Sequence, residues 1–231
     1  MHIRFFDDAQ SKEDQLRSRL LKTGTTTIGF IARDFVVFAT DKRATAGFYI
    51  AHRNTRKVHQ IAPHAAITIA GRVADAQSLI DVLRANARYY QIAWRKTIEI
   101  KTLATMTSNF LFGNKYFPFQ AQFILGGVDT YGPHLFNIDL FGSLTEERML
   151  ATGSGSPIAL GVLESEYRED LSLDEAIKLA YKAVAAAIRR DIGSGDNIDV
   201  AYISPATMFR ELSSNEKRPL FENFVRPFLP S

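Results

Sequence analysis

The chain has 231 residues, 46% of them hydrophobic and 23% charged, with 28 basic against 25 acidic side chains and a net charge of +3. That is an ordinary globular composition, which argues against a disordered or membrane-spanning chain, and its scattered basic positions make a mixed solvated surface rather than a nucleic-acid footprint. The absence of cysteine excludes disulfides, thiolate metal sites and a thiol nucleophile, and it fits a cytoplasmic setting.

Residues 1 to 22 mix both charge signs with few apolar positions and read as a leader without the apolar block of a secretory signal. The pattern changes at Thr26. Thr26 to Ala32 and Val36 to Thr40 read as strands joined at Arg33-Asp34-Phe35, followed by a short strand near Lys57 to Ile61 and a doubly buried one from Ala65 to Ala70, which Gly71 ends. Ala76, Leu79, Ile80, Leu83, Ala87 and Tyr90 then recur at helical steps, and a second helix is expected from Ile98 to Phe112.

Strands Gln122 to Val128 and His134 to Asp139 flank the turn Asp129-Thr130-Tyr131-Gly132, and a third runs from about Arg148 to Thr152. Two helices follow, the later one opened by Ser172 and Glu175 as a capping box and burying Leu173, Ala176, Ile177, Ala180, Val184 and Ala187. A last strand covers Ile198 to Ile203. Grouped strands and grouped helices, rather than strict alternation, predict an α+β fold of antiparallel sheets with helices packed outside. One domain is expected after the leader, with an extended tail from about residue 205 that carries Pro219, Pro227 and Pro230 among Phe221, Phe224 and Phe228.

The five histidines, His2, His52, His59, His64 and His134, show no close pair at helical ligand spacing, so neither a metal nor another cofactor is expected. The chemistry points elsewhere. Thr25 follows Gly24 and opens a run of three threonines. If residues 1–24 were cut away, its hydroxyl would gain a free α-amine of pKa about 7.7 to 8.0 as a general base one residue wide.

Gly24-Thr25, the Thr40 to Thr45 segment, Lys57, Ala70-Gly71 with Ala74 to Gln77, Gly153-Ser154-Gly155-Ser156 and Arg190-Asp191 with Ser194-Gly195-Asp196 together resemble the β-subunits of the 20S proteasome, most closely the archaeal type. The resemblance covers residues 24–204. Asp41 lies 16 residues and Lys57 32 residues after Thr25, as in that family.

The resemblance implies a four-layer αββα sandwich, two antiparallel sheets between helix layers, of the N-terminal-nucleophile hydrolase kind. It implies that Thr25 is the nucleophile, Asp41 the carboxylate that holds the lysine, and Lys57 the cation that lowers the hydroxyl's proton affinity. Ser154, Asp191 and Ser194 match residues that orient the amine and its water, and the Gly71 amide matches an oxyanion donor. Ala44, Thr55, His59, Ile69 and Val73 match the pocket before the cut, whose lack of an acid favours apolar or aromatic residues over basic ones. Thr45 and Gly71 match binders of the peptide backbone. Self-cleavage at Gly24-Thr25, homo- or hetero-heptameric β-rings stacked with rings of α-subunits, unfolded polypeptide substrates and an ATPase unfoldase follow from the same likeness; neither nucleic acid nor a membrane is expected as partner.

The physical chemistry supports these roles independently. A unit charge about 4 Å from a hydroxyl is worth on the order of 4 kcal/mol at an effective dielectric near 20, enough to move a proton equilibrium by a few units. Lys57 acts so only while charged, and Asp41 opposes its loss of the proton. Taken singly, each element has a plainer reading: a threonine run is strand, Asp41 and Lys57 a structural ion pair, Gly-Ser-Gly-Ser a turn, Asp191 a helix end and Gly71 a strand end. The alternatives for the whole are a non-catalytic β-subunit of the same ring and another N-terminal-nucleophile amidohydrolase. Three features depart from the family pattern: Phe35 in a turn where glycine is usual, Phe48 after Gly47 where a polar residue is typical, and the long aromatic tail.

Overall fold

The computed structural model describes residues 24–228, without the side chains of residues 73–75; the leader expected before Gly24 lies outside the described residues. Six strands come first, β1 (Thr27–Ala32), β2 (Phe35–Asp41), β3 (Ala44–Ala46), β4 (Tyr49–His52), β5 (Val58–Ala62) and β6 (Ala65–Gly71). Helices α1 (Val73–Trp94) and α2 (Ile100–Gly113) follow, then β7 (Ala121–Asp129), β8 (Gly132–Ile138), β9 (Leu144–Glu146) and β10 (Met149–Thr152). The chain closes with α3 (Ser156–Glu166), α4 (Leu173–Ile188), β11 (Ile198–Ser204), β12 (Met208–Glu211), α5 (Ser214–Phe224) and a 3-10 turn at Arg226–Phe228.

One antiparallel sheet has the order β10-β1-β2-β11-β12 and the other β5-β6-β7-β8-β9, while β3 and β4 form a separate hairpin. Side-chain alternation along each strand divides the core into three. Ile28, Phe30, Val37 and Val200 face α3 and α4; Ile67, Ile69, Phe123 and Leu125 face α1 and α2; Ile31, Val36, Phe38, Ala66, Ile124 and Ala201 fill the space between the sheets. The result is the four-layer αββα sandwich. Gly29 serves this packing, since a Cβ there would lie 3.0 Å from Leu135 and 3.1 Å from Ile124 across the sheets.

The α1 stripe is buried as expected at Ala76, Leu79, Ile80, Leu83 and Ala87. α4 carries the Ser172–Glu175 capping box. Of the expected stripe Ala176, Ala180, Val184 and Ala187 are buried and Leu173 and Ile177 partly so, while Leu179, Tyr181, Ala183, Ala185 and Ala186 are buried in addition, because the alanines let the helix lie close on the sheet.

Several details differ from the sequence reading, Phe35 and the tail among them. Phe35 is the first residue of β2, paired with Ala32 and buried in the core, so the turn shrinks to Arg33-Asp34 with Arg33 at φ 47°. Burying a phenyl ring is worth about 2 to 3 kcal/mol and outweighs the left-handed arginine. The segment after 205 is not extended throughout: β12 pairs with β11, and α5 begins at a second capping box, Ser213 with Glu216. Pro219 removes one rung of α5, but Leu220 is buried and Phe221 and Phe224 pack against the α4 side of the core, which holds the helix in place.

Candidate active site

Strand ends bring the site together. Thr25 sits just before β1, Asp41 ends β2 opposite Ile198 of β11, and Lys57 just precedes β5, its carbonyl accepting the Ile69 N–H of β6 at 3.0 Å. Pairing of Thr27 with Thr152 carries the chain after β10 back over Thr25. Gly153 turns there at φ 92°, where a Cβ would lie 2.3 Å from the Thr25 carbonyl oxygen.

Thr25, Asp41 and Lys57 form one buried cluster, 3%, 0% and 5% exposed. Lys57 Nζ donates to Asp41 Oδ1 at 2.7 Å, to the Arg43 carbonyl at 2.6 Å and, in a short contact, to Thr25 Oγ1. Thr25 Oγ1 in turn donates to Asp41 Oδ1 at 2.8 Å. The backbone N–H groups of Thr26, Arg43 and Gly195 donate to the Asp41 carboxylate at 2.9, 3.0 and 2.9 Å. Five donors thus fix one carboxylate.

Burial pushes Lys57 below its ordinary pKa of 10.5; attraction to Asp41 and the hydrogen bond with it, and the more distant Asp191, act the other way without overcoming it. Asp41 thus opposes the loss of the Lys57 proton without restoring the value of a free lysine.

A second group lies on the nitrogen side of Thr25. The Thr25 N–H donates to Ser154 Oγ at 3.1 Å, and Ser154 Oγ donates to Asp191 Oδ2 at 2.6 Å. Ser194 Oγ donates to the same Asp191 oxygen at 2.6 Å and lies 2.6 Å from Thr26 Oγ1. So Ser154, Asp191 and Ser194 form a single network on the Thr25 backbone nitrogen.

Gly71 ends β6 at φ 133°, where Gln120 and Ala121 leave no room for a Cβ. It is on the same sheet end as Thr68, whose hydroxyl lies 3.0 Å from that of Thr27. No hydrogen bond among the described residues joins Gly71 to Thr25. Thr45 is buried, and its hydroxyl accepts the Gly24 N–H at 2.7 Å. Ala44 is half-buried in β3, and the Thr55 N–H donates to the Lys42 carbonyl at 2.9 Å. His59 is half-buried with Nε2 3.1 Å from the Arg56 carbonyl oxygen, and burial keeps it below the usual histidine pKa. Ile69 is 2% exposed within the core beneath α1, and the Val73 side chain lies outside the described residues. Open cavities of about 590 and 510 Å³ lie elsewhere, beside α1 and between α3 and α4.

Sequence reasoning did not single out Thr26, the Arg43 carbonyl or the Gly195 amide. The threonine run was the signal for Thr26: alternation that points Thr25 and Thr27 one way points Thr26 the other, toward Ser194. Backbone groups leave no trace in side-chain identity.

Two five-stranded antiparallel sheets between helix pairs, with a buried hydroxyl, carboxylate and lysine at one strand end, define the αββα sandwich class. The family model described as "Proteasome subunit" matches residues 21–203. The chain is 51% identical over 190 residues to "Proteasome subunit beta 2" of Aeropyrum pernix, covering 82% of this chain and 86% of that one. It is 47% identical over 199 residues to "Proteasome subunit beta 2" of Nitrosopumilus maritimus, covering 86% and 94%, and 46% identical over 195 residues to "Proteasome subunit beta 1" of Pyrobaculum calidifontis, covering 84% and 97%. The chain belongs to the proteasome subunit family, as a β-type subunit.

Proposed function

We propose that the chain is a threonine endopeptidase subunit of the 20S core that removes its own leader at Gly24-Thr25 and then cuts unfolded polypeptides inside a closed cytoplasmic chamber. The observation that carries this reading is the contact of Lys57 Nζ with Thr25 Oγ1 while both also bond Asp41 Oδ1. A residue filling a ring without cutting has no need of a buried lysine aimed at a buried hydroxyl.

In the intact chain the Thr25 nitrogen is an amide and accepts no proton. The basic nitrogen within reach of Oγ1 is Lys57, whose lowered pKa suits it to take the hydroxyl proton. Oγ1 bonds to the Gly24 carbonyl carbon, the Gly24–Thr25 C–N bond breaks, and the proton passes to the departing nitrogen. Water then splits the ester, leaving a Gly24 carboxylate, a restored Thr25 hydroxyl and a free α-amine. That amine, held by Ser154 with Asp191 and Ser194 behind it, becomes a second proton acceptor for the same attack on a peptide substrate. Gly71 serves as oxyanion donor, a role worth about 3 to 4 kcal/mol.

Thr45 and Gly71 hold the substrate backbone. Ala44, Thr55, His59, Ile69 and Val73 shape the pocket before the cut. With no acid among them, apolar or aromatic residues are preferred there. Heptameric β-rings, of one or more β-types, stack with α-rings and receive chains from an ATPase unfoldase. Assembly is supported by the exposed apolar side chains Val82, Tyr89, Ile92 and Trp94 of α1 and Tyr116 and Phe117 after α2.

N-terminal sequencing and fluorogenic peptide hydrolysis of assembled particles test the reading. Wild type is expected to begin at Thr25 and to cut, and Thr25→Ala to keep its leader and lack activity. A particle that cuts with residues 1–24 still attached would refute it.

A further inference from the structure

We infer that Gly193 is a positioning residue for leader removal, gauging the size of residue 24 so that the Gly24–Thr25 bond reaches Thr25 Oγ1 only when residue 24 lacks a side chain. This rests on the self-cleaving reading above. A Cβ on Gly24 would lie 2.2 Å from Gly193 Cα, and a Cβ on Gly193 would lie 2.4 Å from Gly24 Cα. The two backbones touch directly.

Gly193 takes no positive φ, unlike Gly71 and Gly153 nearby. Close approach, rather than conformational freedom, is therefore what requires glycine at position 193. Gly193 has little room to yield. Its N–H donates to Asp191 Oδ1 at 3.2 Å, and the next residue, Ser194, is fully buried, with its N–H on the Asp191 carbonyl and its hydroxyl on Asp191 and Thr26.

Gly24 is also pinned from the other side, by its N–H on the Thr45 hydroxyl at 2.7 Å. A side chain at position 24 would push the leader off Gly193 and move its carbonyl carbon away from Oγ1. A displacement of about 1 Å in such a reacting pair can cost on the order of a hundredfold in rate. Once the C–N bond has broken and the Gly24 carboxylate has left, nothing occupies that contact. The contact with Gly193 therefore bears on the leader and not on the trimmed subunit.

The test compares Gly193→Ala in two forms, assembled with companion subunits: the full chain, and a chain whose leader is replaced by a tag that an added protease removes to expose Thr25. Leader removal by the full-length variant, followed by intact mass, is expected to slow about a hundredfold. Peptide hydrolysis by the pre-trimmed variant is expected to fall far less, about tenfold at most, since two of the three nearest atoms to the added Cβ, at 2.4 and 3.0 Å, belong to Gly24 and leave with it, while the third, the Ser154 hydroxyl at 2.9 Å, stays. Processing at the wild-type rate, or equal loss in both forms, would overturn the inference.

Should Gly193→Ala fail to assemble, Gly24→Ala probes the same contact from the leader. Its processing is expected to slow comparably, and wild-type processing would overturn the inference. Failure of wild type itself to shed its leader would instead refute the self-cleaving reading.

Discussion

Asp41 holds Lys57 through one oxygen, at 2.7 Å, while three backbone N–H groups, from two loops and from Thr26 just before β1, share the same carboxylate. The two partners are therefore unequal. Removing Lys57 leaves Asp41 with donors, whereas removing Asp41 strands both a buried lysine and the amides.

Asp41→Ala is expected to destabilise the fold by about 3 to 5 kcal/mol, and Lys57→Met by clearly less. Both abolish leader removal. Urea denaturation midpoints of the two variants, with intact mass for the leader, check the order.

The lowered pKa of Lys57 sets a pH dependence. The unfolded chain keeps the lysine protonated up to about 10.5, while the folded chain releases that proton earlier. Between the two values the unfolded state binds more protons, so this group's contribution to stability grows as pH rises through the alkaline range. The rate of leader removal rises through the folded value for the same reason. Lys57→Met is expected to flatten the stability slope, and Lys57→Arg, which stays charged, to be inactive across the range; denaturation and processing series in pH measure each.

Tyr181 titrates in the contrary sense. Its ring is fully buried, its hydroxyl has no partner among the described residues, and burial pushes its pKa up to about 12. Its contribution is complete below an unfolded pKa of about 10 and is lost as pH climbs toward 12. Tyr181→Phe is expected to be neutral or stabilising at pH 7 and to remove that loss, as thermal unfolding at pH 7 and above pH 10 will show.

Thr27 is a hinge between the sheets in chemical terms, its hydroxyl 3.0 Å from Thr68 and 2.7 Å from Thr152. Thr27→Val keeps the shape but leaves two buried hydroxyls short of a partner. A loss of about 1 to 3 kcal/mol is expected, with peptide hydrolysis at 25 °C reduced less than by any change at Asp41. Calorimetry and a peptidase assay separate the two effects.

Much of this fold was legible because its strands are dense in β-branched and aromatic residues and its helices keep regular stripes. The short pieces were not. β3, β4, β9 and β12 have three or four residues each, too few for alternation to register. α5 was masked by Pro219, a breaker in isolation that tertiary packing of Leu220 overrides. At the site, Thr25 was legible as a threonine behind a glycine, whereas Asp41, Lys57, Ser154, Asp191 and Ser194 were placed by the resemblance to proteasome β-subunits, and the six meet. What stayed hidden was the backbone: the Arg43 carbonyl, the Gly195 amide and the contact of Gly24 with Gly193 depend on how loops pass one another.

Asp199 of β11 is 1% exposed and receives Lys42 Nζ at 3.0 Å and Lys217 Nζ, from α5, at 2.7 Å. Lys42 is the next residue after Asp41. The terminal helix is thus wired by a single shared anion to the loop that holds the reactive lysine, so trimming the chain's end would slacken chemistry that its sequence never touches.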